Sequence, residues 1–421
     1  MTKLAMITPW PNQRTGIADY AYDLVVGLAA GGLEVDVYTD CPRARRTPLP
    51  ANVSNVALQD MQNYPGNSEY QSVIYQMGNN SSFHLEMLSL LYDNPGIVQL
   101  HDPSLHHLIA FLLYRSNSSE YYRVLNYWYG YKKYKEVKNW ISQGRGGFWD
   151  SERASEVPFF EPVLTNATAC IVHSEYARNQ VIQRMPELDV AVLPQVYRSM
   201  QPTPILEKAN QEPKTLQIGV FGIVQKHKHV DLILEALRDT LKQSDKSYSD
   251  KSRFHLQIYG ELDACSGNLP KLAKEYGLSS YVTFHGHQPE SEFIRALKSV
   301  DVCISLRYPT LGETSAIVSR TMQLGIPTIV NRVGWYAELP DCVVKLQPGP
   351  NLLSDLKQQI MSVLESPSHF DSWRADCLRT SAGAFSFESV IEQYKKTIQT
   401  FSNPSEFIFP FGRTCKKSAL A

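Results

Sequence analysis

A short polar stretch stands out where a predicted strand gives way to a predicted helix. Residues 311–315 read "LGETS" and place Glu313, Thr314 and Ser315 directly after Gly312. Glycine lets a ligand approach the backbone closely, and the unbonded amides of a helix start attract anions. Glu313 either caps the helix or accepts hydrogen bonds from ligand hydroxyls. The stretch therefore suits anion binding, with hydroxyl recognition by Glu313 as the alternative to capping.

A second candidate site is the histidine-rich segment "VQLHDPSLHHL" (98–108), in which His101 and Asp102 follow a predicted buried strand. A histidine there can donate a hydrogen bond or move a proton, although a purely structural role is the alternative. His106 and His107 raise the further possibility of a metal site. Because adjacent residues on a helix diverge by about 100°, we favour a cleft histidine over a metal ligand.

Two more loops have the composition of an anion site. In "TPWPNQRTGIADYA" (8–21), Gly16 precedes a predicted helix, although an ordinary strand-to-helix turn would look the same. In "GVFGIVQKHKHVDLILEAL" (219–237), Lys226 and Lys228 lie between a glycine-bearing strand end and an amphipathic helix. They are either fixed charges for phosphate oxygens or solvated surface lysines.

The elements that must position these residues alternate between short β-branched runs and helical patterns, which predicts parallel sheets with crossover helices. Ligands of such folds bind beyond the carboxyl ends of the strands, where all four candidate loops lie. The predicted strands are 4–8, 34–38, 72–76, 96–100, 169–173, 190–194, 216–221, 254–260, 281–286, 301–306 and 327–331, and the predicted helices include 228–241, 289–298 and 314–324.

The polar segment 197–215 holds three prolines and is interpreted as an interdomain linker. We therefore predict an N-terminal domain (1–200), a C-terminal domain (213–384), a helix (385–402) that packs back on the first domain, and a loose tail (403–421).

Segment 111–150 is dense in aromatic and basic residues. It is interpreted as an inserted helical pair that packs on its own domain, with an acceptor or membrane-surface platform as the alternative.

Composition narrows the function further. The 421 residues favour about two domains. Because 41 basic side chains face 42 acidic ones, nucleic acid is not expected as the main partner. No apolar run of about eighteen residues occurs, so no spanning helix is expected. The seven cysteines are scattered without a C-x-x-C pair, which predicts a reducing, cytoplasmic location.

Taken together in this order, the motifs resemble those of the retaining glycosyltransferases of family 4, which have the GT-B fold. The resemblance covers about residues 1–400 and implies an α/β chain of two doubly wound, Rossmann-like domains facing a central cleft. Its carriers are "GIADYA" (16–21), "YQMGNN" (75–80), "VQLHDPSLHHL", "IVHSEYAR" (171–178), "IGVFGIVQKHKHVDLILEAL" (218–237), "VTFHG" (282–286) and "GETSAIVSRTMQLGIPTIVNRVGWYAELPD" (312–341).

The resemblance also implies roles for individual residues. His101 is similar to the histidine that meets the donor sugar, Lys228 to the phosphate-binding lysine, and Glu313 to the first glutamate of a paired-glutamate motif; these three are the expected catalytic residues. Asp19 and Asp102 are expected to contact the acceptor. The expected donor-binding residues are Gly16, Gly222, Lys226, Lys228, Gly312, Thr314, Ser315 and Arg320.

Two departures from the family pattern concern the donor site. The arginine that often follows the glycine of the second-domain loop is replaced by Ile223, for which Lys226 is the expected substitute. The second glutamate of the motif is missing, because Arg320 or Thr321 occupies its place. Contacts with the nucleotide are therefore expected to differ more from the family than contacts with the phosphates.

The activity that the resemblance implies is transfer of a hexose, with mannose as the first candidate, from a nucleoside diphosphate sugar. The expected acceptor is a glycan or a lipid-linked saccharide, at the inner face of a membrane if the contact is peripheral. No cofactor and no metal are expected. The alternative is a degenerate GT-B protein that binds a nucleotide sugar or a protein partner without turnover. A dinucleotide oxidoreductase is not favoured, because no G-x-G-x-x-G follows a strand.

Overall fold

Parallel strands form the centre of both halves of the chain. The computed structural model describes residues 3–13, 15–42, 49–63, 69–151, 153–195, 197–198, 215–243, 254–383 and 385–402. The chain divides into one unit of Met1–Leu193 with Ile391–Ala421 and a second of Pro194–Val390. Most of the predicted linker (199–214) and the predicted tail (403–421) lie outside the described residues.

The first unit contains a seven-stranded, fully parallel sheet in the order β3-β2-β1-β4-β5-β6-β7. The strand order reverses at β1 and β4, so the carboxyl ends of these two neighbours border the crevice in which such sheets bind ligands. The strands are β1 (Lys3–Ile7), β2 (Glu34–Thr39), β3 (Val53–Ala57), β4 (Ser72–Met77), β5 (Gly96–Leu100), β6 (Ala167–Val172) and β7 (Val190–Val192).

The helices of the first unit follow its strands, and the loops between them carry the candidate residues. Asn80 caps α2 by accepting a hydrogen bond from the backbone of Ser82. These helices are α1 (Gly16–Ala30), α2 (Ser81–Asp93), α3 (His106–Ile109), α4 (Ser118–Ser142), α5 (Glu161–Leu164) and α6 (Glu175–Arg184).

The second unit repeats this design with a six-stranded parallel sheet in the order β10-β9-β8-β11-β12-β13. Its order reverses at β8 and β11. The strands are β8 (Leu216–Phe221), β9 (Phe254–Tyr259), β10 (Val282–Gly286), β11 (Val302–Ser305), β12 (Thr328–Asn331) and β13 (Val343–Leu346). The remaining helices are α7 (Val230–Gln243), α8 (Leu269–Glu275), α9 (Glu290–Ser299), α10 (Ala316–Leu324), α11 (Leu352–Glu365), α12 (Pro367–Ser381) and α13 (Phe387–Ser402), which crosses into the first unit at Ile391.

Two observed strands are absent from the sequence prediction, and both lie at an edge of a sheet. β3 reads "VSNVA" and β13 reads "VVKL". Edge strands are covered on one side only, so they are short and carry polar residues that weaken the apolar signal. The predicted helix over 314–324 begins later, at Ala316.

Segment 111–150 is largely helical. α4 leaves the helical conformation at Gly130 (φ 77°), so it consists of two helical pieces. Tyr121, Leu125 and Val137 are buried in the core of the first unit, whereas Tyr127 is 67% exposed. One face of α4 therefore packs on its own unit and the other meets solvent. Within the described residues, no helix is long and apolar enough to cross a membrane.

A buried hydrogen-bond network joins α13 to the first sheet. The Gln99 amide nitrogen donates to the hydroxyls of Tyr394 (2.7 Å) and Tyr20 (3.0 Å), and the Gln99 oxygen accepts from Gln76 (2.9 Å). Gln99 and Gln76 are fully buried, so no water is at hand to replace these partners. Gln99 is the centre of the network.

Replacing Gln99 with Leu should destabilise the protein by about 2–4 kcal/mol, because three buried polar groups each lose a partner. Gln71→Leu makes the same chemical change at an exposed position just before β4 and should leave stability within about 0.5 kcal/mol of the wild type. Urea unfolding of both variants measures the difference. Equal stabilities would show that the network contributes nothing beyond packing.

Candidate functional site

The site in the second unit is built at the carboxyl ends of β8 and β11, where the strand order reverses. Gly222 follows β8 with φ +83°, and its amide donates to the Tyr259 oxygen (2.8 Å). A Cβ at Gly222 would lie only 2.9 Å from the Lys228 ammonium nitrogen. Glycine therefore satisfies both the left-handed backbone and the close approach of the lysine.

Lys228 ends a single 3₁₀ turn (Lys226–Lys228) between β8 and α7. Its ammonium donates to the Phe221 oxygen at 3.0 Å. Burial, aided by the positive charge of Arg307, lowers the pKa of Lys228 to about 7, and the nearby Cys303 opposes this shift. Among the described residues, no carboxylate forms a salt bridge with Lys228. The ammonium is therefore able to pair with an anionic ligand.

Glu313 is held by three groups of its own loop. Its Oε1 pairs with the Arg307 guanidinium, while its Oε2 accepts from the Thr310 hydroxyl (3.1 Å) and from the Leu311 amide (2.9 Å). Burial opposes ionisation, but Arg307 and these hydrogen bonds outweigh it and lower the pKa of Glu313. The carboxylate is therefore charged at neutral pH.

Ser315, rather than Glu313, caps α10, because its hydroxyl accepts from the Val318 amide (3.3 Å). The capping role considered for Glu313 is therefore filled by its neighbour, and Gly312 (φ +93°) makes the turn before them. α10 begins beside Gly222, since a Cβ on Gly222 would lie 3.9 Å from Ile317. The first turn of α10 thus lies beside the loop that holds Gly222 and Lys228.

Several buried polar atoms at this site have no hydrogen-bond partner within the described residues. Among them are the Thr314 hydroxyl, Nε2 of His227 and Nδ2 of Asn331. Burial, together with the charge of Arg307, lowers the pKa of His227 to about 4, so its ring is neutral at pH 7. Unpaired buried polar groups are uncommon and costly, which is consistent with a ligand supplying the missing partners. The arrangement can bind an anion through two cations and a helix start.

Two predicted donor-binding residues lie in other surroundings. Lys226 is exposed to solvent, unlike Lys228. The Arg320 guanidinium stacks on the Tyr197 ring (4.1 Å to its centroid) and approaches Phe293 (5.8 Å). Gln323 fixes Tyr197 through hydrogen bonds to its backbone in both directions. In this arrangement Arg320 anchors the start of the second unit.

In the first unit, the ends of β1, β4 and β5 bring a second group of predicted residues together. A Cβ on Gly78 would lie 2.5 Å from Ile17, 2.9 Å from His84 and 3.2 Å from the Asp102 carboxylate. Asp102 also accepts from the Asn79 amide at 2.8 Å. Gly16 begins α1, which Thr15 caps, and Asp19 lies in the first turn. Gly16 borders open space, so its lack of a side chain relieves no protein clash.

His101 lies inside the first unit, 5% exposed, with both ring nitrogens engaged. Its Nε2 is 2.7 Å from the Gln76 side chain, and its Nδ1 is 3.1 Å from Nε2 of His173. His173 in turn donates from Nδ1 to the Leu193 oxygen at 2.8 Å. Burial lowers the pKa of both rings. Both ring nitrogens of His101 are therefore already bonded within the protein, so neither is open for the expected contact with a sugar.

His106 and His107 point to different surroundings, as their adjacency predicted. His106 is buried with Nε2 2.7 Å from the Tyr121 hydroxyl, whereas His107 pairs with Asp150 at 2.9 Å. Across the described part of the chain, no group of three or more His, Cys, Asp or Glu side chains is placed to hold a metal ion.

Arg307 and His227 were not predicted from the sequence. Arg307 lies two residues after the end of β11, whereas His101 follows β5 directly. In the sequence, an arginine followed six residues later by an acid resembles an ordinary surface ion pair. The pattern alone therefore did not indicate that Arg307 belongs to the site. Only the folded loop shows that the side chains of Arg307 and His227 lie near Lys228.

Comparison with known proteins agrees with this geometry. Residues 203–373 match the family described as Glycosyl transferases group 1. This match lies within the second unit. No curated protein matches the sequence.

Solved structures show the fold of the whole chain. Sucrose-phosphate synthase from Thermosynechococcus elongatus is 14% identical with a TM-score of 0.63, covering 95% of this chain and 99% of its own. HepE from Anabaena, solved with UDP and glucose, is 12% identical with a TM-score of 0.60, over 95% and 100% of the two chains. WaaG, a glycosyltransferase of lipopolysaccharide biosynthesis, is 15% identical with a TM-score of 0.57, over 94% and 99%. The chain has the GT-B fold of two Rossmann-like domains.

Replacing Lys228 with Met should stabilise the protein at pH 7 by about 1–3 kcal/mol, because it removes a charge that burial penalises. The folded pKa of about 7 lies below the reference value of 10.5. The unfolded chain therefore binds more protons between these values, and wild-type stability rises with pH through that window. The gap between variant and wild type should close as pH rises.

Chemical unfolding at several values between about pH 6.5 and pH 9.5 measures this gap. Lys226→Met is the matched control, since Lys226 is exposed and should show a small difference that does not vary with pH. A constant gap for Lys228→Met would contradict the burial of its charge.

Proposed function

We propose that this protein is a retaining glycosyltransferase that moves a hexose from a nucleoside diphosphate sugar to a glycan or a lipid-linked saccharide. The observation that carries the proposal is the Lys228 ammonium, which lies against Gly222 without a carboxylate partner among the described residues. It lies in a domain of a glycosyltransferase family, at the sheet edge where nucleotide ligands bind.

The proposed role of this site is to stabilise the departing diphosphate. Negative charge grows on the phosphate oxygens as the bond to the sugar breaks, and Lys228 with the start of α10 offsets that charge. The backbone at Thr314 and Ser315 would hold further phosphate oxygens. Because these fixed positive groups are already present, we propose a reaction that does not require a metal.

Retention would follow from attack on the same face of the sugar. The bond from the anomeric carbon to the diphosphate oxygen breaks, and a bond to the acceptor oxygen forms. The acceptor proton passes to an oxygen of the leaving diphosphate, so no enzyme carboxylate need act as a nucleophile. Glu313 would then orient the sugar through its hydroxyl groups.

The first unit is proposed to bind the acceptor. Asp102 and Asp19 supply carboxylates at the end of β5 and the start of α1. Gly16, at the start of α1, is proposed to contact the donor diphosphate. Gln76 and His173 hold the His101 ring in place, and we propose that His101 thereby fixes the backbone of the adjacent Asp102. Donor sugars to test first are UDP-glucose, because HepE was solved with UDP and glucose, and GDP-mannose, the candidate that the sequence suggests.

The purified protein should hydrolyse one of these donors slowly and transfer its sugar when a saccharide acceptor is added. Lys228→Ala should lower transfer by about a hundredfold to a thousandfold, because it removes a charge that acts on the transition state. Gly222→Ala should also lower transfer, by displacing the ammonium. Gly277→Ala is its control, since Gly277 has the same left-handed backbone (φ +74°) with nothing within 4 Å.

Separation of released nucleoside diphosphate by chromatography measures turnover, and proton NMR of the fresh product reports the anomeric configuration. A product of inverted configuration would overturn retention alone. Donor binding without hydrolysis or transfer would instead favour the non-catalytic alternative, in which the chain binds a nucleotide sugar or a protein partner.

A peripheral membrane contact through α4 is part of the proposal. Tyr127 and Tyr131 are 67% and 63% exposed, and Lys132 and Lys135 beside them are exposed too. Aromatic rings and lysines together suit an anionic membrane surface.

The protein should therefore sediment with vesicles of phosphatidylcholine and phosphatidylglycerol, and less with phosphatidylcholine alone. The double variant Tyr127→Ser, Tyr131→Ser should bind several-fold less, because it removes two amphipathic rings from the contact. Tyr92→Ser, at a ring 71% exposed on α2, is the control. Wild-type protein that stays in the supernatant with both vesicles would end this part of the proposal.

A further inference from the structure

We propose that Arg307 binds the donor diphosphate, and that Glu313 holds its guanidinium until the donor arrives. This inference rests on the proposed function, since it adds a residue to the same site. In it, Arg307 is the second cation of the phosphate site, and donor binding releases one oxygen of Glu313 for the sugar.

The backbone position of Arg307 is fixed at the point where the strand order reverses. Arg307 follows β11, the neighbour of β8, and its amide donates to the side chain of Asn331 at 2.7 Å. Asn331 ends β12 and is fully buried. The backbone of Arg307 is therefore fixed, whereas its side chain is long enough to bind a different partner.

Hydrogen bonds tie the loop of Arg307 to the loop of Lys228. The Tyr308 amide donates to the His227 oxygen at 2.9 Å, and Nε2 of His229 donates to the Tyr308 oxygen at 2.8 Å. The two cations thus belong to one framework, and the charge of Arg307 contributes to the low pKa of both Lys228 and His227.

Among the described residues, this framework contains two cations and one carboxylate. Lys228 and Arg307 are the cations, Glu313 is the carboxylate that pairs with Arg307, and His227 is neutral. A diphosphate carries at least two negative charges at neutral pH, and arginine forms paired hydrogen bonds with phosphate oxygens. A bound diphosphate would relieve the repulsion between Lys228 and Arg307.

Ile223 and Lys226 are less suited than Arg307 to supply the second positive charge. Ile223, directly after the site glycine, is 57% exposed and uncharged. Lys226 is exposed to solvent, where water weakens its attraction for an anion. Arg307 is only 20% exposed at its side chain, and its charge contributes to the low pKa of Lys228.

The contacts of Glu313 explain how the exchange could proceed without unfolding the loop. Arg307 binds Oε1, whereas Thr310 and Leu311 donate to Oε2. When Arg307 turns to the phosphate, Oε2 keeps its two donors and Oε1 becomes an acceptor for a sugar hydroxyl. Donor binding would therefore couple phosphate recognition to sugar recognition.

The test compares binding of nucleoside diphosphates and monophosphates by isothermal titration calorimetry. The probes are UDP, GDP and ADP, each with the monophosphate of the same base. Arg307→Gln should weaken binding of the diphosphate that the wild type prefers by about tenfold to a hundredfold, because it removes charged hydrogen bonds. Binding of the matching monophosphate should change by less than about threefold.

Two further variants separate a phosphate contact from a structural role. Glu313→Gln removes the carboxylate that competes for Arg307, so it should bind the diphosphate as tightly as the wild type or more tightly, while sugar transfer is lost. Arg307→Lys keeps one charge and should recover part of the lost affinity, and it serves as the test if Arg307→Gln does not fold. Arg295→Gln, in an exposed pair with Glu292, controls for the loss of one positive charge.

The outcomes distinguish this inference from the proposed function. If the wild type binds none of the three diphosphates, both are overturned. If it binds one and Arg307→Gln binds it equally well, or weakens diphosphate and monophosphate alike, only the role of Arg307 is overturned. Loss of diphosphate affinity in Glu313→Gln would refute the exchange.

Discussion

A partly buried lysine ammonium without a carboxylate partner among the described residues lowers the stability of a folded chain, and the site of the second unit depends on such a group. Lys228 reaches the Phe221 oxygen because Gly222 leaves the space that a Cβ would fill. Burial and Arg307 bring its pKa to about 7. The unfavourable charge lowers the stability of the folded chain, and binding of an anionic ligand can offset that loss.

The parallel sheets make this arrangement possible. In each unit the strand order reverses once, so that two neighbouring carboxyl ends, and the loops after them, lead away from each other and leave room for a ligand. Helix starts add their amides to the same edge. The family match within the second unit and the GT-B fold of the whole chain agree with that physical reading.

Two groups of polar side chains differ in their hydrogen bonding. In the first, His101, Gln76 and Gln99 bond to one another inside the sheet and to Tyr394 of α13. In the second, Nε2 of His227 and the Thr314 hydroxyl lack a partner among the described residues. A satisfied network gives rigidity, whereas an unsatisfied one gives affinity for a ligand.

The sequence alone determined the alternation of strands and helices, and with it the fold class, because apolar periodicity depends on residues close in the chain. It missed β3 and β13, whose polar composition follows from their edge positions. It also marked Gly222, Lys228 and Glu313, since glycine, lysine and acid after strands have local signatures. Only the tertiary structure decided that Ser315 caps α10, that His101 is buried with both nitrogens bound, that Arg320 stacks on Tyr197, and that Arg307 joins Lys228. Each of these features depends on contacts that form only when the chain folds. No local sequence pattern specifies which group a long side chain will contact.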